Sequence, residues 1–153
     1  MPPINDLPRS VAEIAILADG SAEESESGMG AVPSFRDLDV WNAGMELVVT
    51  TYQVCKLFPR FEQFGLRAQM QRAAVSIPSN VAEGHASGSG RYRNHVRILL
   101  GSLAELDTQL EVASRLEYVG AKELERMGQQ LTRTRQLLHG LDRSLRDTGH
   151  TES

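Results

Sequence analysis

Apolar residues recur at alternating steps of three and four over four successive stretches of this chain. That spacing commits it to amphipathic helices packed side by side. The first stretch carries two interlocking stripes. Leu38, Trp41, Met45, Val48, Tyr52 and Cys55 form one; Val40, Gly44, Leu47, Thr51, Val54 and Phe58 form the other. A helix with so wide an apolar face has to touch more than one neighbour, and Trp41 is expected in the core. Ser34 with Asp37 three residues later reads as a capping start, and Pro59 ends the helix because it has no N–H for the ladder.

The second stretch, from about residues 62–66 to Gly84, keeps the period through Leu66, Met70, Ala73, Ile77, Val81 and Gly84. Pro78 lies inside it, so a kink is expected there, the alternative being a break into two helices. Residues 85–90 read as a loop, with Ser89 the cap of a third helix. Tyr92, Val96, Leu99, Leu103, Leu106, Leu110 and Ala113 mark that helix. Gly101, Ser102 and Ala104 are small enough to let another backbone approach, and the run Tyr118-Val119-Gly120 closes it. Leu124, Met127, Leu131, Thr134, Leu138, Leu141 and Leu145 mark the fourth, which fades after Asp147. No stretch alternates with period two. The expected fold is all-α, an up-down-up-down four-helix bundle.

Charge divides the chain. Residues 1–34 hold one basic and six acidic residues, a balance of −5, whereas residues 35–147 hold 15 Lys/Arg against 13 Asp/Glu, a balance of +2, and all eight aromatic residues. A segment rich in Ser, Gly and Glu that lacks aromatic residues buries too little apolar surface to offset its ordering entropy. Residues 1–34 are therefore expected to be a disordered acidic tail, residues 35–147 the domain, and residues 148–153 a flexible end. No apolar run approaches the roughly 20 residues of a membrane span. The apolar segment 11–18 is short, contains Glu13 and lacks a basic flank, which makes it a poor leader. One cysteine, Cys55, fits a reducing compartment, and the expected location is the cytoplasm with no membrane contact.

The residues offer little catalytic chemistry. Helix bundles that hold paired metals use Glu-x-x-His, but three residues before His85, His95, His139 and His150 stand Ala82, Tyr92, Gln136 and Asp147. Only the last is a carboxylate, so neither a metal nor another cofactor is expected. Cys55 on an apolar stripe reads as a small buried hydrophobe rather than a nucleophile. Ser76, Asn80 and Glu83 are polar residues within two turns of an otherwise apolar helix. They read as a structural hydrogen-bond network, with Glu83 pairing Arg72 or taking donors freed near Pro78, the alternative being a ligand site. Arg91, Arg93 and Arg97 open the third helix around Tyr92 and His95. Cations oppose the dipole at a helix N-terminus, so they suit phosphate contacts with RNA or DNA, the alternatives being a solvated face or ion pairs between subunits.

Several motifs follow one another in a recognisable order. They are Phe35-Arg36-Asp37-Leu38-Asp39-Val40-Trp41; Phe58-Pro59 with Glu62 and Gly65-Leu66; Gln69; Arg72-Ala73-Ala74; Ser76-Ile77; Asn80-Val81-Ala82-Glu83-Gly84; and Gly101-Ser102-Leu103-Ala104-Glu105-Leu106. Over about residues 35–147 the chain resembles the four-helix-bundle family named for proteins encoded in intervening sequences of bacterial 23S ribosomal RNA genes. That resemblance implies a homo-oligomeric ring, a pentamer, with no enzymatic activity. The accessory protein of diversity-generating retroelements is similar in being a pentameric bundle that engages a reverse transcriptase and nucleic acid. The expected partners are thus other copies of the chain, with RNA or DNA, or another protein, as further ones.

Overall fold

The computed structural model describes residues 34–148, with the side chains of residues 89–92, 145 and 148 outside that description. The expected tail before Ser34 and the last five residues also lie outside the described residues. Four helices make the fold: α1 (Asp39–Cys55), α2 (Leu66–Ser87), α3 (Ser89–Arg115) and α4 (Ala121–Thr148). Among the described residues there is no strand. Each helix packs on its neighbour in sequence, and α4 closes the circuit against α1. No helix among them is long and apolar enough to cross a membrane.

Of the two stripes on α1, one faces the core along its whole length. Val40, Gly44, Leu47, Thr51, Val54 and the following Phe58 are all buried. The other is buried only at its ends, Leu38 and Cys55, while Met45 and Tyr52 are exposed at 38% and 44%. Trp41 is a correction to the expectation. It is half-buried, packed against the edge of the core rather than within it, with its ring 5.5 Å from that of Phe35 between centroids. The Ser34 capping box forms, with Ser34 Oγ accepting from Arg36 N–H at 3.2 Å and Asp37 Oδ2 accepting from Ser34 N–H at 3.0 Å. It closes a short 3-10 turn, Phe35–Asp37, and α1 begins two residues after that turn.

Helix α2 runs through Pro78 without a break. Side chains flanking the proline bond to nearby carbonyls: Ser76 Oγ donates to Ala73 O at 2.6 Å, Ser79 Oγ to Val75 O at 2.8 Å and Asn80 Nδ2 to Ser76 O at 2.7 Å. Pro78 is tucked against α1 at Gly44, where a Cβ would stand 3.2 Å from Ile77 Cγ2 and 3.4 Å from Pro78 Cδ. Residues 85–87, expected in a loop, continue the helix instead. The turn to α3 is a single residue, Gly88, whose φ of 80° and ψ of 172° reverse the chain in a conformation that suits glycine. Gly88, not Ser89, occupies the cap position, so no side chain caps α3.

The α3–α4 turn also differs from expectation. The left-handed residue is Glu117 (φ 62°), three before Gly120. Tyr118 N–H donates to Ala113 O at 2.9 Å and Glu117 N–H to Ser114 O at 3.0 Å, the paired bonds of a Schellman motif. A side chain in that conformation costs about 1–2 kcal/mol. Glu117→Gly should therefore raise stability by up to about 1 kcal/mol, less than the full strain because glycine also loosens the unfolded chain. Urea unfolding measures it, and a less stable variant would show that the Glu117 side chain makes a compensating contact.

Candidate functional site

Four features of the bundle could carry function, and each begins with where a helix aims its side chains. The polar residues of α2 divide. Ser76 bonds across to α3 through Ser102 Oγ at 2.9 Å, so Ser76 and Asn80 both take part in hydrogen bonds around Pro78. Glu83 is exposed, forms no ion pair with Arg72, and contributes its backbone carbonyl to the Ser87 hydroxyl. A separation of 11 residues along one helix, about 16 Å, keeps Glu83 and Arg72 apart.

Arg93 and Arg97 lie one turn apart on α3, both exposed and outside every ion pair among the described residues. Between them His95 is half-buried, with Nδ1 lacking a protein partner and Nε2 3.4 Å from Ser87 Oγ. Arg91 belongs to the first turn of α3, but its side chain lies outside the described residues, as does that of Tyr92. Among the described residues no group of three His, Cys, Asp or Glu side chains could hold a metal ion. Cys55 is fully buried, and burial pushes its thiol up to about 11, the nearby Arg67 offsetting only part of that. A thiol so placed is protonated and unreactive at neutral pH.

Where α1 meets α2, the two helix connections of the bundle touch. Glu62 Oε2 accepts from Leu66 N–H at 2.7 Å, satisfying the start of α2, and Glu62 Oε1 lies 3.4 Å from the Tyr118 hydroxyl of the α3–α4 turn. Tyr118 also stacks on Phe58 at 5.3 Å and meets Phe61 edge-on at 6.4 Å. Partial burial and the Glu62 carboxylate push the Tyr118 phenol above its usual range. Beyond this clasp four large apolar side chains stand exposed among Lys56, Arg60 and Glu117. Phe61 and Phe64 are 77% and 90% exposed, and Leu57 and Leu116 are half exposed.

Met45 and Tyr52, on the same stripe as Trp41, line an exposed face with Val49, continued by Val75 on α2. A groove of about 570 Å³ runs there beside Tyr52, Ala68, Arg72 and Val75. A second groove, of about 270 Å³, lies between α1 and α4 and is lined by Ala43, Glu46, Arg126, Gln129, Gln130 and Arg133. Its two arginines escaped the reading of the sequence. The legible signal was their separation of seven residues, which puts them on one face of a helix.

A family model described as 23S rRNA-intervening sequence protein matches residues 36–140. No curated protein matches the chain.

Proposed function

Because the chain belongs to the 23S rRNA-intervening sequence protein family, we propose that it is a non-enzymatic, cytoplasmic scaffold that assembles with copies of itself. Each subunit is an up-down-up-down bundle, a reading supported by the meeting of the α1–α2 and α3–α4 connections at one end, through Glu62 and Tyr118. The observation that carries self-assembly is the amount of apolar surface left uncovered on two sides. Met45, Val49, Tyr52 and Val75 lie on the α1–α2 face. Ile98 and Val112 are exposed on α3, two heptads apart, with nothing within 4 Å of a Cβ at Gly101 between them. Two different patches are what a head-to-tail ring requires, since each subunit presents one to each neighbour. The family resemblance favours about five subunits in such a ring. Mass by light scattering at micromolar concentration tests the reading. The expected result is an oligomer that Tyr52→Glu/Val75→Glu breaks into monomers, and a wild-type monomer overturns it.

A second reading is an RNA- or DNA-binding accessory, favoured by the exposure of Arg93 and Arg97 without carboxylate partners among the described residues. If Arg91, Arg93 and Arg97 contact phosphates, changing all three to Gln weakens binding to structured RNA. It also flattens the salt dependence, because fewer counterions are released. Equal affinity of variant and wild type in a filter-binding titration removes them from any such interface.

A further inference from the structure

We propose that the acidic segment 23–26 of this same chain docks in the groove between α1 and α4, with its carboxylates on Arg126 and Arg133. Four observations converge on this occupant.

Arg126 and Arg133, like Arg93, Arg97 and Arg143, have no carboxylate partner among the described residues. Arg115, Arg135 and Arg146 each hold a carboxylate, on Glu111, Asp107 and Asp142. Arg126 donates only to the Gln53 amide oxygen at 3.3 Å. Glu46 is the acid that lines the groove with them. Seven residues of helix separate the two guanidinium groups by about 10 Å along the axis. One turn of polyproline-II chain, the step from Glu23 to Glu26, sets two side chains on the same side about 9 Å apart.

The chain supplies the complementary charge. Residues 1–34 carry a balance of −5 against +2 for residues 35–147, and Glu23, Glu24 and Glu26 are its densest acidic run. Attraction of this kind acts within about 10 Å at ordinary ionic strength, so the segment has to be held near its target. It is held, because the segment joins the domain through Ser34, just before α1, which forms one wall of the groove.

Reach is sufficient. Gln53 lies beside Arg126, and Ala43 and Glu46 line the groove with Arg133, so the groove extends along α1 from about residue 43 to residue 53. Its far end lies about 21 Å from the start of α1. The eight residue steps from Glu26 to Ser34 extend to about 27 Å.

The chemistry of the groove favours a peptide. Gln130 Oε1 is buried in it without a hydrogen-bond partner. An acidic peptide brings carboxylates for the arginines and backbone N–H donors for this oxygen, whereas a phosphate backbone brings acceptors only. The segment then covers Arg126 and Arg133, and any polyanion bound for them has to displace it.

Double electron–electron resonance on the full chain tests the proposal. Buried Cys55 resists labelling, so nitroxides placed through Ser25→Cys and Thr132→Cys are the reporters, diluted with unlabelled chain to remove pairs between subunits. The expected result is a narrow distance distribution for the 25/132 pair. It should broaden to that of a free coil when Glu23, Glu24 and Glu26 are all changed to Gln, and again when Arg126 and Arg133 are changed to Gln. A broad distribution in the unsubstituted tail overturns the proposal. So does a narrow one that survives the Gln substitutions, or one that disappears on dilution, or a narrow one instead for Ser25→Cys with Asn94→Cys beside Arg93 and Arg97.

Discussion

Phe58→Ala should lower the unfolding free energy by about 3–5 kcal/mol, while Phe61→Ala, three residues away, changes it by no more than about 0.5 kcal/mol. The two rings flank the same tyrosine. Phe58 is 7% exposed and packs on Tyr118 from the core side, whereas Phe61 is 77% exposed and meets Tyr118 from outside. Removing the first leaves a cavity that helix ends pinned by the Glu62–Tyr118 contact cannot collapse to fill. Removing the second exposes little that was not already wet. The measurement is urea unfolding at a concentration low enough to keep the oligomeric state constant. Equal losses at the two positions would show that Phe61 is covered, as it would be inside an assembly.

Gly44→Leu is expected to cost about 3 kcal/mol, at the upper end of what overpacking a tight core does. The position meets Ile77 and Pro78 at 3.2–3.4 Å already when a single Cβ is added. Pro78 cannot rotate away, because its ring is fused to the backbone of α2, so α1 and α2 have to separate. Gly128→Ala is the control: it too is a mid-helix glycine, but nothing lies within 4 Å of its Cβ. That substitution should stabilise by up to about 1 kcal/mol through helix propensity alone. A Gly44→Leu protein as stable as the parent would refute the close approach.

These contrasts mark where the sequence was readable. The period of three and four located four helices and most of the core, because burial of one helix face repeats at that spacing whatever the partners are. It could not say which of two stripes on α1 faces inward. Both have the period, and the choice is made by Gly44 letting Pro78 approach, a contact between residues 34 apart in the chain. The composition of residues 85–87 suits a loop, yet the helix continues through them, since one glycine at φ 80° suffices to turn the chain. Glu117 went unnoticed because glutamate gives no local sign of a left-handed conformation. For the candidate surfaces, Arg93 and Arg97 were visible as a cluster. Arg126 and Arg133 were not, their proximity to Ala43 and Glu46 being a product of tertiary packing.

The one-residue connection at Gly88 also orders events in time. Helices α2 and α3 meet across the shortest closed loop in the molecule, and short loops form at the smallest entropic cost. Their pairing, sealed by Ser76 and Ser102, is the natural nucleus for the rest to condense on. The α1–α4 contact is the opposite case, joining positions such as Gln53 and Arg126 that stand 73 residues apart. A seam with so long a loop is expected to close last, and amide hydrogen exchange should then find the facing surfaces of the first and last helices the least protected of the four.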